Sequence, residues 1–322
     1  MKIKTSVLAG LAAALVGIQV GSAMVATRFV IDQTRPGSLA FLRYSIGGIC
    51  LLLPLLASPR VPFARKDLLP LSLLGITQFG IVITLLNYAL QFIPSARASL
   101  IFATVPFQAM VIATLLGYER LTFAKSLGVF FTIIGVGFVL GERVFHGENP
   151  QGWAGEIAAF VSAFAAAACS VLYRPYLRKY PTLQITCFAM LTSVVFLAFL
   201  AGGEGFFNVF PHFTLKGWFA VLFIGIGSGI GYYLWLWALK NTSPTKATIF
   251  LSLNPITAAG LGAFFLGERI TITLLIGIIC IILGLGVAHL NGFSKKKKHC
   301  YLTQNELITP TSGTVLVSTI HS

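Results

Sequence analysis

Apolar residues fall into ten long runs along the chain, and most polar or charged residues lie in the short connections between the runs. A helix needs about 20 apolar residues to cross the ~30 Å of hydrocarbon in a bilayer. Such segments must be helical, because lipid leaves open backbone groups without water to bind. The pattern therefore predicts ten transmembrane helices, at roughly residues 6–29, 37–57, 69–92, 96–118, 123–141, 153–174, 184–202, 216–239, 245–266 and 271–290.

Composition excludes an ordinary soluble domain. The 322 residues are 56% hydrophobic and only 10% charged, whereas about 25% of the residues of a soluble protein are charged. The five cysteines show no CxxC and no His/Cys ligand spacing. We therefore expect no metal and no cofactor. A membrane-embedded enzyme is the weaker alternative, because no nucleophile–base pairing or His/Asp cluster is visible.

The first run resembles a secretory signal as well as a helix. The stretch "MKIKTSVLAGLAAALVGIQVGSA" has a basic start, an apolar stretch and small residues, the pattern of a cleavable leader. Both interpretations are open at this point. We expect the span to be retained, because keeping it gives two equal sets of five spans.

The positive charges predict an orientation. Net charge is +14, which in a soluble protein would suggest nucleic acid, but here the basic residues mostly flank the runs. Of 23 Lys and Arg residues, 16 fall on one side of the predicted topology and 7 on the other. Lys and Arg concentrate on the cytoplasmic side, so both termini are expected there, with no nucleic-acid partner. Residues 292–322, which include four consecutive lysines, are expected to form a disordered cytoplasmic tail.

An internal duplication organises the chain. The stretches "VPFQAMVIATLLGYERLT" at 105–122 and "NPITAAGLGAFFLGERIT" at 254–271 align without a gap when the sequence is shifted by 149 residues. The shared positions pair Pro106 with Pro255, Glu119 with Glu268, and Arg120 with Arg269. Five spans in each half is an odd number, so the halves must insert with opposite orientation, as in many secondary transporters. We therefore predict an all-α integral membrane protein built from two inverted five-helix repeats, at residues 1–145 and 150–291.

These paired segments resemble the EamA repeats of the drug/metabolite transporter superfamily. The resemblance rests on the Ala-Leu dipeptides, the mid-span prolines, the Glu-Arg pairs and the glycines that follow them, and it covers roughly residues 6–290. The first repeat reads "GYER" where the family favours "GER". The resemblance implies a ten-helix carrier that moves small organic metabolites without ATP. A scaffold or receptor that kept the fold and lost transport is a further alternative.

The two prolines are candidates for a central site. Proline removes a helical hydrogen bond and kinks the helix, and interrupted helices at matching places in two halves indicate a transporter's binding site. A kink that only helps helices to pack is the alternative. Asn254 adds a polar amide beside Pro255. The Glu-Arg pairs are expected to end their helices and hold tight turns, with Thr122 and Thr271 capping the helices that follow, or else to act as a gate.

Arg43 is the most unusual charge, about seven residues into the second span, or roughly 10 Å along a helix. A charge at that depth faces a cavity or a partner, or snorkels to the interface. We consider three roles for Arg43: snorkelling, a structural pair with Asp32 or Glu156, and recognition of an anionic or zwitterionic substrate. No carboxylate lies deep in any span, so we expect facilitated transport or exchange without carboxylate-based proton coupling.

The remaining candidates are uncharged. Four glycines at alternate positions between 225 and 231 predict close helix packing, and the Trp residues that follow, Trp235 and Trp237, are expected in the interfacial belt. Tyr232 and Tyr233 are candidates for stacking on a substrate. Four amides either line the pathway or bond a neighbouring helix: Gln19, Gln78, Asn87 and Gln108. The aromatic residues and Arg43 are compatible with amino acids or related amphipathic metabolites as substrates. Phosphorylated sugars and nucleotide conjugates are less favoured alternatives, because they usually need several converging cations and the spans offer few. The expected location is a bacterial cytoplasmic membrane. Nothing in the sequence indicates an oligomeric state.

Overall fold

The chain forms a bundle of long apolar helices. The fold is described from a computed structural model, which covers residues 2–58, 61–118, 151–209, 211–241, 250–284 and 286, with nine separate residues between 123 and 138. The helices are α1 (Lys2–Val30), α2 (Pro36–Leu56), α3 (Arg65–Gly75), α4 (Val82–Phe92), α5 (Ser95–Phe102), α6 (Val105–Leu115), α7 (Gln151–Leu172), α8 (Arg174–Lys179), α9 (Thr182–Gly203), α10 (Leu215–Asn241), α11 (Leu253–Leu266) and α12 (Ile272–Gly284).

Within this described part of the chain, 7 helical stretches are long and apolar enough to cross a membrane, and α11 and α12 are shorter apolar helices. These nine match nine of the predicted spans. Ten of the 19 residues of the predicted fifth span, at 123–141, lie outside the described residues, as do Glu119, Arg120, Thr122 and the tail at 292–322. All the described secondary structure is helical, which confirms the predicted fold class.

The packing of the helices repeats under the 149-residue shift. Helix α1 packs on α10 as its counterpart α7 packs on α4, and α2 packs on α10 as its counterpart α9 packs on α3. Likewise α1 contacts α11 as α7 contacts α6. The two halves therefore use the same set of interfaces, so each half completes its core with helices of the other half.

The equivalent helices α2 and α9 run antiparallel. The first turn of α2 meets the end of α9, where Glu204 accepts hydrogen bonds from the backbone N–H groups of Gly37 at 2.9 Å and Ser38 at 2.7 Å. A carboxylate is well placed there, since the first N–H groups of a helix lack partners within it. Because α2 and α9 occupy matching positions in the duplication, their opposite directions show that the repeats are inverted.

Both proline-bearing spans are interrupted where the sequence predicts. In the fourth span, α5 ends at Phe102 and α6 begins at Val105, with Pro106 in its first turn. In the equivalent span, a 3₁₀ turn at Phe250–Ser252 precedes α11, and Pro255 lies in the first turn of that helix. Proline is tolerated in a first turn because its missing N–H would have no helical partner there. The predicted kinks are thus real breaks.

The Glu-Arg segments end their helices through glycine. Gly117 and Gly267 have φ values of 72° and 65°, a conformation that glycine adopts readily and that commonly ends helices. They follow α6 and α11. In "GYER" the glycine lies one position earlier, relative to the Glu-Arg pair, than in "GER", but it still ends the helix in the same conformation. Thr271 Oγ1 accepts a hydrogen bond from Leu274 N at 3.3 Å, which confirms the predicted cap of α12.

Candidate functional site

A cavity of about 110 Å³ lies at the centre of the bundle, between the two repeats. Its walls come from α1, α2, the α3–α4 span, α6, α7 and α10, together with Leu251 of the 3₁₀ turn before α11. Most of the wall is aliphatic or aromatic. Its polar side chains are Gln19, Thr27, Arg43, Tyr44, Gln78, Asn87, Ser170, Ser228 and Tyr232.

Arg43 is the one charged residue among the described residues that line this cavity. Its side chain is only 7% exposed, so it does not snorkel to the surface. Its Nε donates a hydrogen bond to Ser228 Oγ at 2.5 Å, and Ser228 in turn donates to the carbonyl of Ile224. The guanidinium carbon also lies 5.6 Å from the centre of the Tyr44 ring. These contacts fix the guanidinium through its Nε edge and leave the Nη edge for another partner.

Neither acid considered as a structural partner of Arg43 pairs with it. Glu156 forms an ion pair with Arg97 at 3.3 Å, and both residues are buried. Asp32 lies in the 3₁₀ turn after α1 and is exposed. Within the described ranges, Arg43 therefore contacts a serine hydroxyl and an aromatic ring and forms no ion pair. A buried cation without a counter-ion is costly, which makes its position in a cavity informative.

Aromatic rings form one wall of the cavity. Phe79 lies between Tyr44 and Tyr232, with ring centres 5.0 and 4.5 Å away, and Tyr173 approaches Tyr232 at 6.5 Å. Edge-to-face contacts of this kind give a rigid apolar surface. Trp235 is 7% exposed and also lines the cavity. The prediction that Trp235 belongs to the interfacial belt is therefore wrong, because its side of α10 faces the centre of the bundle.

A π-helical segment contributes to the cavity wall and was not predicted. Residues Ile76–Ile81 join α3 to α4 with one wider turn, in which Val82 N reaches back to Thr77 O. Wider turns of this type often occur at functional sites. The segment turns Gln78 into the cavity and places Phe79 against the tyrosines. The only sequence signals are glutamine within an apolar run and the nearby Gly75 and Gly80.

The alternating glycines of α10 allow two neighbouring helices, α2 and α1, to approach it closely. A Cβ on Gly229 would lie 2.7 Å from the carbonyl oxygen of Gly47, so α2 and α10 touch backbone to backbone. This confirms the predicted close packing. On the other face, Cβ atoms on Gly227 and Gly231 would lie 2.9 and 2.8 Å from the amide of Gln19. The missing side chains therefore make room for the Gln19 amide at the cavity wall.

The cavity brings together three of the eight predicted binding residues. Arg43, Asn87 and Tyr232 line it, although the Asn87 amide also donates to the Pro36 carbonyl at 2.9 Å. The other five lie outside its lining: Pro106, Gln108, Tyr233, Asn254 and Pro255. The two prolines follow helix breaks next to the cavity, and Phe102, Val105 and Leu251, which lie at these breaks, reach its wall.

Two polar layers hold the repeats together at the opposite ends of the bundle. The first, here called the Glu268 face, contains Glu204, Glu268 and the Arg97–Glu156 pair. Glu268 accepts hydrogen bonds from Ser95 N at 2.9 Å and Ser95 Oγ at 2.6 Å, at the start of α5. Arg269 is exposed. Glu268 therefore links the end of α11 to the start of α5, in the equivalent broken span. The predicted role, to end its own helix in a tight turn, does not include this link between the repeats.

The second layer, here called the Asp67 face, lies at the other ends of the helices. Asp67 at the start of α3 accepts hydrogen bonds from Lys179 and from the Tyr180 hydroxyl, the latter at 2.6 Å. The same hydroxyl accepts a hydrogen bond from Ala64 N at 3.0 Å. Asp67 belongs to the first repeat and Lys179 to the second, so each face of the bundle is closed by contacts between repeats. Across the described residues, no cluster of His, Cys, Asp and Glu could hold a metal ion.

Comparison with known proteins agrees with this architecture. A transporter of uncharacterised function from Archaeoglobus fulgidus is 26% identical over 267 residues, which are 82% of this chain and 92% of the relative. A probable terminal-alkyne amino-acid exporter of Streptantibioticus cattleyicolor is 27% identical over 251 residues, or 77% and 82% of the two chains. A solved crystal structure superposes with a TM-score of 0.65 at 24% identity, covering 86% of this chain and 98% of that chain. That likeness shows the fold.

The family is shown by the duplicated halves themselves. Residues 7–141 and 153–289 each match the EamA-like transporter family, in agreement with the resemblance found in the paired motifs. The relatives described above are transporters and not enzymes. Because the two matches together cover most of the chain, this protein belongs to the EamA-like transporter family and is an integral membrane transporter.

Proposed function

We propose that this transporter is a secondary carrier of small amphipathic organic metabolites that bear a carboxylate, amino acids and related compounds among them. The observation that carries the proposal is Arg43, which is 7% exposed, lines the central cavity and has its Nε edge held by Ser228. A guanidinium whose Nη edge is free binds a carboxylate through two parallel hydrogen bonds. The apolar and aromatic wall suits the body of an amphipathic molecule.

Alternating access between the repeats is the mechanism that fits this site. The two units are residues 1–145 and 150–291, and the cavity lies between them. Opening toward one side requires loss of the contacts on the Glu268 face, and opening toward the other requires loss of those on the Asp67 face. The breaks before Pro106 and Pro255 supply flexible points in the spans that border the cavity.

The carrier is expected to work by facilitated transport or exchange. The described residues that line the cavity include no carboxylate, and buried carboxylates are the usual proton-binding groups of coupled carriers. The excess of Lys and Arg on one side of the topology supports an orientation in which the Asp67 face is cytoplasmic. Both termini are then cytoplasmic, and a bacterial cytoplasmic membrane is the proposed location.

Counterflow in proteoliposomes tests the proposal. Vesicles loaded with one unlabelled amino acid or carboxylate receive the same labelled compound outside, with no pH gradient. We expect label to accumulate for at least one compound, Arg43→Gln to abolish the accumulation, and Arg35→Gln to leave it unchanged. Arg35 is the matched control, because it is the exposed residue just before α2. Equal counterflow in both variants would contradict the role of Arg43.

A further inference from the structure

The charge balance of the cavity narrows the substrate class. Arg43 brings one positive charge, and the described lining residues bring no negative charge to offset it. A bound monoanion neutralises the cavity, whereas a zwitterion leaves one positive charge uncompensated among apolar walls. Opposite charges attract and like charges repel far more strongly there than in water. We therefore expect the negative charge that balances Arg43 to be carried by the bound substrate.

The two tyrosine rings that line the cavity, Tyr44 and Tyr232, are already in contact with other groups. A cation is attracted to the face of an aromatic ring, but the guanidinium of Arg43 already lies by the Tyr44 ring. The Tyr232 ring is packed by Phe79 and Tyr173. An ammonium two bonds from a carboxylate held by Arg43 would also lie within a few ångströms of the guanidinium. Repulsion between the two cations then opposes binding.

A second polar group lies beside Arg43. The Gln19 amide fits against Gly227 and Gly231, the residues on either side of the Ser228 turn that holds Arg43. Gln19 Nε2 is buried and has no hydrogen-bond partner within the described part of the chain. An unsatisfied buried donor costs free energy, and a carboxylate oxygen at this place would satisfy it. Residues Gln19 and Arg43 come from α1 and α2, and both contact the same turn of α10.

We infer that the central cavity selects organic monocarboxylates without an adjacent ammonium group, and that Gln19 is the second anion-binding residue beside Arg43. This inference rests on the proposed function and narrows its substrate class from carboxylates that include amino acids to carboxylates without the ammonium group of an amino acid. Arg43 supplies the charge and Gln19 supplies a neutral donor that lies next to it. The residue at position 19 then determines whether an ammonium is tolerated, because any charge placed there adds directly to that of Arg43.

Three probes that share an isobutyl group test the inference: 4-methylpentanoate, leucine and 3-methylbutylamine. Their dissociation constants are measured by calorimetry on the purified full-length protein in lipid nanodiscs. We expect 4-methylpentanoate to bind at least ten times more tightly than leucine, and the amine to show no binding. Arg43→Gln should weaken 4-methylpentanoate at least tenfold and remove the preference. Gln19→Leu should weaken the same probe severalfold, because one donor is lost.

The variant Gln19→Glu gives a result that a merely structural role would not produce. A carboxylate at this position neutralises Arg43 and provides a partner for an ammonium, so the preference should reverse in favour of leucine. Leucine bound by the native protein as tightly as 4-methylpentanoate, or an unchanged preference in a folded Gln19→Glu variant, would overturn the inference. Absence of 4-methylpentanoate binding at millimolar concentration would do the same. If leucine binds tightly and depends on Arg43, the proposed function still stands.

Discussion

The contact between α1 and the broken ninth span gives a prediction that can be worked out from distances. A Cβ added at Gly17 would lie 2.2 Å from the carbonyl oxygen of Phe250, whereas ordinary contacts of this kind begin near 3.4 Å. The oxygen belongs to the 3₁₀ turn that precedes α11. To accommodate alanine, α1 and this turn must separate by more than about 1 Å, which removes favourable contacts along the whole crossing.

The same substitution at Gly10 is a matched control. A Cβ there would lie 3.4 Å from the Phe250 ring, at the far end of a side chain, with no backbone atom in conflict. Both positions are in α1, so both gain about 1 kcal/mol of helix propensity when glycine becomes alanine. Overpacking against backbone costs about 1–3 kcal/mol. We therefore expect Gly17→Ala to be less stable than Gly10→Ala by about 3 kcal/mol.

Thermal unfolding in detergent, followed by intrinsic tryptophan fluorescence, measures this difference. At about 1.5 °C per kcal/mol for a chain of this size, Gly17→Ala should melt about 4–5 °C below Gly10→Ala. The comparison between the two variants removes the helix-propensity contribution, which is common to both. A Gly17→Ala protein that melts as high as Gly10→Ala would show that α1 does not approach the Phe250 backbone closely, and the reasoning would fail.

Three further predictions concern the two polar faces, and melting in detergent measures each of them. Ser95→Ala removes a hydroxyl that donates to Glu268, and we expect a loss of about 1 kcal/mol; an unchanged melting temperature would argue against the contact. Arg97→Gln removes the cation that pairs with the buried Glu156 and should cost about 3 kcal/mol, with part of the loss restored when Glu156→Gln is added; a double variant no better than the single one would contradict this. Tyr180→Phe removes two hydrogen bonds of the Asp67 face and should cost about 1–2 kcal/mol, whereas the exposed Lys216→Gln should have no effect.

The class of fold could be predicted from the sequence because the hydrocarbon of the membrane and the local effect of proline both restrict which residues can occur. Hydrocarbon forces long apolar runs, so nine of the predicted spans are found in the described ranges. The duplication preserved prolines at equivalent positions, and proline has a local effect on a helix that does not depend on its surroundings. The breaks before Pro106 and Pro255 follow from that effect.

The composition of the cavity could be predicted only in part. Arg43 is conspicuous because a charge inside an apolar run is rare. By contrast, in a helix that is apolar on every side, hydrophobic periodicity does not tell which side faces the centre and which faces lipid. This is why Trp235 was assigned to the interface and Gln19 stayed ambiguous. The contact of Ser95 with Glu268 joins residues 173 positions apart, and no local pattern indicates such a distant partner.

The π-helical segment has a consequence for the energetics of the transport cycle. Two identical halves would give end states of equal free energy, since exchanging the conformations of the halves would convert one state into the other. Here Ile76–Ile81 is a wider turn, whereas the equivalent residues 225–230 continue as regular α-helix within α10. The two stretches also differ in sequence, ITQFGI against GIGSGI, so exchanging their conformations gives a state with a different free energy and the empty carrier need not populate its two facings equally. A bias of only about 1.4 kcal/mol populates the preferred state tenfold, which makes the apparent affinity for a substrate different on the two sides of the membrane.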